Sequence, residues 1–316
     1  MATDVAADLP PPLPVALWRL ARPSGMPLVL ALPFTGYVYG HWEWGLDAKH
    51  PADILWLLAG WFLLSAGTLW LNATLDQDDG EVLMGPRTPL PPGLVWWAAG
   101  ALLAAIGVTL PAGLVPTTLV GVCVGLSVAY SAPTTAWKAH PVLGPVVNVL
   151  GYGVLSPLAG WWVADVAPTP RAVATLVLLA CWVAATYYGA QGFQAEEDRR
   201  RGYRTLVAVR GEPVTISVAR ALYGVSVGGL LGLAAIGWYP RALWLGLPLV
   251  IALDRHLASW AAHPERGATA ARGMLRRATL LAVGLVAIAV LQHLWDIFHG
   301  GAPAGLGTVW TPRAGG

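Results

Sequence analysis

The sequence predicts an all-α, polytopic membrane protein with nine transmembrane helices in a single bundle. Its 316 residues are 56% hydrophobic and only 11% charged, whereas soluble domains carry about 25% charged residues. A helix that crosses a bilayer needs about 20 mostly apolar residues. Stretches of roughly this length lie at 15–40, 52–71, 94–110, 112–130, 142–165, 172–190, 215–236, 240–258 and 277–298.

The nine spans are expected to form one domain, because no linker interrupts residues 15–298. Residues 1–14 contain acidic residues and a proline run, which favours a short disordered lead-in over a cleaved signal peptide. Residues 299–316 are interpreted as a C-terminal tail. Cys123 and Cys181 lie inside apolar runs, where cysteine usually serves as a small apolar side chain.

Longer polar loops alternate with short turns, at 72–93, 131–141, 191–214 and 259–276. With nine spans, these four loops lie on one face of the membrane. Their basic residues outnumber those of the opposite face, which predicts a cytoplasmic location for the loops and an inner-membrane protein. The net charge of +2 gives no indication of nucleic-acid binding. The basic residues of the loop face are Arg87, Lys138, Arg199, Arg200, Arg201, Arg204, Arg210, Arg266, Arg272 and Arg276, against Lys49, Arg171, Arg241 and Arg313 opposite.

The first loop begins with a polar stripe at the end of an apolar segment. Asn72, Asp76 and Asp79 are spaced i, i+4 and i+7, so they would share one face of a helix. Carboxylate and amide oxygens suit Mg²⁺, which commonly bridges one or two carboxylates to substrate phosphates. The alternative is a solvated helix end whose aspartates cap the loop. Arg87 follows on a proline-rich segment, where it would either bind phosphate in bidentate fashion or anchor the membrane interface.

A second stripe ends another apolar segment far along the chain. Gln191, Gln194 and Asp198 are spaced i, i+3 and i+7. Two such stripes at the membrane edge predict one shared site. Glu197 lies off the stripe by the helical period and is left out of the direct ligands, while residues 199–201 are interpreted as a solvated helix extension.

The loop between the two stripes contributes Tyr130, at the end of a helix, and Lys138 eight residues later. Lys138 would either neutralise a phosphate or extend its ammonium group to the lipid headgroups. His140 is interpreted as an interfacial or hydrogen-bonded histidine. The last loop, 259–276, shows only small residues and basic anchors.

These segments resemble the UbiA superfamily of intramembrane prenyltransferases, whose members share nine transmembrane helices and two aspartate-rich motifs on cytoplasmic loops. The family's first motif, N-D-x-x-D-x-x-x-D, is matched at Asn72 and Asp76, with Ala73 and Gly80 in place of two acids. The segment from Arg87 to Gly93 resembles the R-P-x-P-x-G tail of that motif, with one extra residue.

The second family motif, D-x-x-D-x-x-x-D-x-x-x-G-x-x-T-L, is matched in its last four positions, and glutamines replace its first two acids. Residues 18–30 resemble the family's opening R-P helix. Residues 130–138 resemble its Y-S-x-P-x-x-x-x-K loop. The matching positions of the second motif are Asp198, Gly202, Thr205 and Leu206, after Gln191 and Gln194.

The resemblance implies an enzyme that ionises an allylic prenyl diphosphate with Mg²⁺ and transfers the prenyl group to a small-molecule acceptor, often an aromatic ring. Tyr130 would contact the diphosphate or the cation. Tyr187, Tyr188 and Trp161 could line the prenyl tunnel, although Trp161 also fits an interfacial belt. The implied ligands are Asn72, Asp76 and Asp79 for one Mg²⁺, Gln191, Gln194 and Asp198 on the other side, and Arg87, Lys138 and Arg204 for the phosphates.

Two other functions share these motifs. A terpene cyclase on the same fold would let the substrate's own double bond attack the cation. A noncatalytic lipid-binding descendant is favoured by the two glutamines, since they remove two formal charges from the second motif. The retained Asp76, Asp198, Lys138 and Arg87 favour an enzyme.

Overall fold

The computed structural model describes residues 11–44, 51–76, 88–165 and 169–299, and in these ranges every regular element is a helix. Eight helical segments of the described chain are long and apolar enough to cross a membrane. They coincide, within a few residues at most ends, with the second to ninth predicted spans. The all-α membrane fold is therefore confirmed.

Within the described ranges, most consecutive helices are separated by short connections. Helices α6 and α7 are joined by a π-helical segment, Val149–Leu155, and short 3₁₀ turns occupy several other connections. The helices are α1 (Leu13–Leu20), α2 (Met26–Trp44), α3 (Pro51–Asp76), α4 (Leu94–Thr109), α5 (Leu114–Ser131), α6 (Leu143–Asn148), α7 (Ser156–Val163), α8 (Pro170–Gln191), α9 (Ala195–Arg200), α10 (Leu206–Arg210), α11 (Glu212–Ala235), α12 (Leu247–Ala262) and α13 (Gly267–Phe298).

The first predicted span, 15–40, is not one continuous helix. Arg22 adopts a left-handed conformation with φ 52°, and a 3₁₀ turn at Pro23–Gly25 separates α1 from α2. The break arises at this point because a residue that precedes proline is disfavoured in the α region. Consequently α1 is a short separate helix, and α2 is not among the eight described helical segments that are long and apolar enough to cross a membrane.

The last predicted loop, 259–276, is largely helical. Helix α12 continues to Ala262 and α13 begins at Gly267, so only a short turn remains between them. The segment is rich in alanine and arginine, which are strong helix formers. The ring nitrogen Nε2 of His256 lies 2.8 Å from the carbonyl oxygen of Ala270 and links the two helices.

Helices α2 and α7 pack backbone against backbone. A Cβ placed on Gly36 would lie 1.8 Å from the carbonyl oxygen of Pro157, and one on Gly160 would lie 1.7 Å from that of Pro33. Only glycine permits such an approach, which is typical of helix packing in membranes. Trp161, next to Gly160, is 1% exposed and belongs to the core, so neither the tunnel nor the interfacial-belt interpretation of this residue is correct.

We expect Gly160→Ala to lower the thermal unfolding midpoint of the detergent-solubilised protein, because overpacking of a well-packed contact costs roughly 1–3 kcal/mol. Gly228→Ala on α11 is the matched control, since no atom lies within 4 Å of the position of its Cβ. Equal midpoints for the two variants would contradict the close packing of α2 and α7.

Candidate functional site

A cavity of about 380 Å³ opens among α2, α3, α5, α8 and the π-helical segment, and we call it the main cavity. Its mouth carries polar side chains and its floor is apolar. The mouth residues are Arg22, Gln191, Gln194 and Glu197, and the remaining wall includes Met26, Leu28, Val29, Leu32, Ser65, Leu69, Tyr130, Asn148, Tyr152, Trp182, Val183, Thr186, Tyr187 and Leu275.

The second polar stripe does not form one continuous helix face. Helix α8 ends at Gln191 and α9 begins at Ala195. The break follows Gly192, where a Cβ would lie 2.6 Å from Ile216 and 2.9 Å from Trp260. The interruption changes the helical register, so Glu197 lines the cavity together with Gln191 and Gln194. Glu197, which its position on a continuous helix had left out of the direct ligands, thus lines the cavity in this structure.

Asp198 is buried beside the cavity and is not among the described lining residues. Its Oδ2 accepts a hydrogen bond of 2.5 Å from the Thr205 hydroxyl, whose oxygen in turn accepts from the Ala208 amide at the start of α10. Burial raises the pKa of the Asp198 carboxyl, although the Thr205 hydrogen bond acts in the opposite direction. In this conformation Asp198 holds the loop after α9 in place.

A chain of polar contacts connects the mouth of the cavity to its centre. The amide nitrogen of Gln191 donates a 2.8 Å hydrogen bond to the Tyr187 hydroxyl. The Tyr130 hydroxyl contacts the side chains of Tyr187 and Asn148, and the Asn148 amide nitrogen donates to the Gly144 carbonyl at 3.0 Å. The chain joins α8, α5 and α6. Tyr187, predicted as a tunnel residue, lines the main cavity. The ring of Tyr188 packs edge-on against the ring of Tyr187, with 5.7 Å between the two ring centroids.

Charged groups surround the mouth. Glu197 forms an ion pair of 2.7 Å with Arg201. Lys138 is half-buried, and burial, followed by the nearby charge of Arg201, lowers the pKa of its ammonium group to about 8. The amide of Arg204 donates to the Ala139 carbonyl at 3.4 Å, which joins the loop of the second predicted motif to the loop at 131–141. The Arg204 side chain is exposed.

A second cavity of about 160 Å³ lies between α3, α5, α6 and the π-helical segment, and we call it the side cavity. It shares Leu69, Tyr130, Asn148 and Tyr152 with the wall of the main cavity. Asn72 of the first predicted motif lies at its edge, where its Oδ1 accepts a hydrogen bond from the Ser131 hydroxyl.

Part of the first motif lies outside the described residues. Asp76 is the last residue of α3, but its side chain is not described, and Asp79 and Arg87 fall in the undescribed segment 77–87. Within the described residues, no group of three His, Cys, Asp or Glu side chains could hold a metal ion. The assignments of Asp76, Asp79 and Arg87 therefore remain predictions.

Sequence reasoning did not place Arg22 or Asn148 in the site. Arg22 lines the mouth because the break before Pro23 turns the chain there. The resemblance of residues 18–30 to an R-P helix was the signal that could have identified it. Asn148 carries no such signal, because it is an isolated polar residue within an apolar stretch.

Comparison with known proteins defines the class to which this membrane protein belongs. The family model described as the UbiA prenyltransferase family matches residues 26–280. The chain therefore belongs to the UbiA prenyltransferase family and is an integral membrane prenyltransferase, as its motifs predicted.

Two curated relatives are protoheme IX farnesyltransferases. The protein of Aquifex aeolicus (strain VF5) is 27% identical over 202 residues, which cover 62% of this chain and 68% of the relative. The protein of Roseiflexus castenholzii (strain DSM 13941 / HLO8) is 24% identical over 269 residues, which cover 79% of this chain and 46% of the relative. This chain thus spans about half to two thirds of the length of these relatives.

Solved structures share the fold. A UbiA homologue from Archaeoglobus fulgidus bound to GPP and Mg²⁺ matches with a TM-score of 0.65 and 15% identity, covering 87% of this chain and 98% of that one. Its complex with DMAPP and Mg²⁺ gives a TM-score of 0.65 at 16% identity, with the same coverage. The apo UbiA homologue from Aeropyrum pernix K1 gives 0.59 at 15% identity, covering 85% and 97%.

We expect Lys138 to titrate near pH 8, well below its ordinary value of 10.5. Lys49 and Lys138 are the two lysines of the chain, so reductive ¹³C-methylation of a Lys49→Arg variant leaves one lysine signal to follow beside that of the terminal α-amine. Arg201→Gln should raise the midpoint, because it removes a nearby positive charge. The exposed Arg200→Gln is the control, and a midpoint near 10.5 in the parent would contradict the described environment.

Proposed function

We propose that the main cavity binds an allylic prenyl diphosphate, ionises it with the help of Mg²⁺, and delivers the prenyl group to an acceptor. The observation that carries this proposal is the polarity of the cavity. Arg22, Gln191, Gln194 and Glu197 lie at its mouth, and Leu28, Leu32 and Trp182 lie at its floor. A prenyl diphosphate has the same division between a charged head and an apolar tail.

The diphosphate would be held by cations around the mouth. Arg22 lies on the cavity wall itself, and a guanidinium suits bidentate phosphate binding. Lys138 and Arg201 lie close to each other, and a bound trianion would stabilise both positive charges. Arg87 and Arg204 are proposed for the same role, on the sequence prediction that their loops lie on one face of the membrane.

The donor atoms at the mouth fit Mg²⁺. Glu197 supplies a carboxylate, and Gln194 an amide oxygen. Since the amide nitrogen of Gln191 donates to Tyr187, its carbonyl oxygen is the atom suited to bind a cation. Mg²⁺ usually takes few protein ligands and completes its shell with waters and substrate phosphates. When bound, it would neutralise charge on the diphosphate; Asn72, Asp76, Asp79 and Asp198 remain proposed ligands.

The floor of the cavity would protect the allylic cation. Leu28, Val29 and Leu32 exclude water from the prenyl chain, which limits hydrolysis. The rings of Tyr130, Tyr187 and Trp182 border the same space, and aromatic faces attract cations. We place the protein in the cytoplasmic membrane with its motif loops facing the cytoplasm, because basic residues concentrate in those loops.

The proposed function predicts Mg²⁺-dependent release of diphosphate from geranyl, farnesyl or geranylgeranyl diphosphate by the purified full chain. Arg22→Gln should raise the KM for the donor about tenfold or more, because hydrogen bonds to charged groups contribute roughly 1.5–3 kcal/mol. Arg19→Gln on the exposed side of α1 should leave it unchanged. Absence of diphosphate release from every donor, even with a panel of phenolic and quinone acceptors, would favour the noncatalytic alternative. A cyclic product formed without acceptor would identify a cyclase.

The donor KM should also depend on pH. Below about pH 8 Lys138 is a cation and favours the anionic head. As pH rises above that value, Lys138 of the free protein loses its charge, so the KM for the donor should rise. The donor itself does not change its charge in this range, because phosphate groups have a second pKa of about 6. Lys138→Arg, which stays charged, should flatten the profile up to pH about 9.5. A parallel rise in both proteins would exclude Lys138 as the cause.

A further inference from the structure

A third cavity lies on the far side of the floor of the main cavity. It measures about 50 Å³ and lies between α2, α8, α11 and α13, and we call it the deep cavity. Among the described residues, Leu32 and Trp182 line both the main cavity and the deep cavity. These two side chains therefore form the partition between the two spaces.

Helix α2 shows that the two cavities lie in line. Leu28 lines the main cavity, Leu32 lines both, and Thr35 and Tyr39 line the deep cavity. These residues are spaced i, i+4, i+7 and i+11, so they share one face of the helix. The face of α2 that borders the main cavity thus continues into the deep cavity.

Helix α8 shows the same order in the opposite direction. Thr175 lines the deep cavity, Trp182 lines both cavities, and Gln191 at the end of the helix lies at the mouth. Since α2 begins near the mouth and α8 ends there, the two helices place the partition at the same depth. The main cavity and the deep cavity are therefore two sections of one tunnel that Leu32 and Trp182 interrupt.

The ring of Trp182 is held in this position from behind. Trp182 is 6% exposed, and its ring meets that of Tyr223 edge-on, with 5.0 Å between the ring centroids. The Tyr223 hydroxyl lies 2.7 Å from the hydroxyl of Thr186, which donates to the Trp182 carbonyl at 3.0 Å. The indole nitrogen of Trp182 is buried and has no hydrogen-bond partner among the described residues. Packing of the ring, and not a hydrogen bond of its nitrogen, thus keeps the partition closed.

The distance from the mouth to the partition suits a tail of two isoprene units. Gln191 and Trp182 are nine residues apart on α8, which is about 13.5 Å along the helix at about 1.5 Å per residue. An extended chain advances at most about 3.6 Å over three bonds, so an isoprene unit with four bonds along its chain spans about 5 Å. Two units reach about 10 Å and leave room for the bond to the diphosphate, whereas three units reach about 15 Å and meet the Trp182 ring.

The deep cavity does not accommodate the excess while the ring is in place. Its volume is about 50 Å³, whereas a cavity that binds benzene measures about 150 Å³. Replacement of the Trp182 indole by a leucine side chain removes roughly six non-hydrogen atoms, which is the size of a benzene ring. That change would join the two sections of the tunnel.

We propose that Trp182 is a specificity-determining residue that limits the donor to two isoprene units, so that the protein selects geranyl diphosphate over longer donors. The inference rests on the proposed prenyl transfer and adds the length of its donor. The curated relatives are named for a farnesyl group, which has three units. The length limit therefore distinguishes this chain from those relatives.

The test compares geranyl, farnesyl and geranylgeranyl diphosphate with the purified full chain in detergent. Trp182→Leu opens the partition. Trp161→Leu is the matched control, because Trp161 is also buried with an unpartnered indole nitrogen and is not among the described lining residues of either cavity. Adding Ala282→Leu to Trp182→Leu refills the deep cavity, which Ala282 lines. Readouts are kcat/KM for Mg²⁺-dependent diphosphate release and thermal stabilisation by the non-ionising thiolodiphosphate analogue of each donor.

For the parent, we expect kcat/KM to be at least about tenfold higher with geranyl than with geranylgeranyl diphosphate, since one methylene too many in a pocket is worth about 10-fold to 200-fold. In Trp182→Leu the ratio of the geranylgeranyl value to the geranyl value should rise roughly 20-fold or more. Trp161→Leu should keep the parent's ratio, and the double variant should return to it. Leu32→Ala thins the same partition and should change the ratio in the same direction as Trp182→Leu.

Equal use of geranylgeranyl and geranyl diphosphate by the parent would overturn the length limit without any variant. An unchanged ratio in both Trp182→Leu and Leu32→Ala, or an equal rise in Trp161→Leu, would also overturn it. If no donor releases diphosphate, but the geranyl analogue stabilises the parent most and the geranylgeranyl analogue stabilises Trp182→Leu most, the proposed reaction fails while the length limit stands. If none of the analogues stabilises the parent, the donor site and the length limit both fail.

Discussion

The site depends on the chain of polar contacts that runs from Gln191 through Tyr187 and Tyr130 to Asn148. Each of these side chains lies at the border between apolar helices and a cavity, where an unsatisfied polar group is costly. By satisfying one another, they fix the relative positions of α8, α5 and α6. Two residues of this chain, Tyr130 and Asn148, belong to the walls of both the main cavity and the side cavity.

The mouth of the main cavity carries few charged side chains, and two of its polar residues are the glutamines of the second motif. Glu197 is the carboxylate that faces the cavity among the described residues, and it is paired with Arg201. Burial, and then the nearby charge of Arg201, lower the pKa of the Lys138 ammonium group. In the proposed function, an incoming diphosphate supplies the negative charge that this group of cations lacks, so binding and charge neutralisation are coupled.

The sequence predicted the helices well because bilayer thickness sets a minimum apolar length. It did not predict the break at Arg22 or the π-helical segment at Val149–Leu155, since both depend on local backbone geometry within apolar stretches. Gln191 and Gln194 both line the main cavity, and so does Glu197, which the helical period had set apart from them. The i, i+3, i+7 spacing places these side chains on one face only of a continuous helix, whereas α8 ends at Gln191 and α9 begins at Ala195.

Part of the site could not be predicted from the spacing of residues along the helices. The side cavity is built from scattered residues of α3, α5 and the π-helical segment, such as Thr68, Ser127 and Gly151. None of them stands out in the sequence, because small and hydroxyl side chains are common in membrane helices. Their common position around one cavity becomes visible only when the helices are packed.

The most direct test of the central claim is an experimental structure of the full chain with Mg²⁺ and a non-ionising thiolodiphosphate analogue of geranyl diphosphate. The account predicts the diphosphate at Arg22, Gln191, Gln194 and Glu197, and the geranyl chain against Leu28, Leu32 and Trp182. A geranyl chain in the side cavity, or a diphosphate bound away from this mouth, would contradict it.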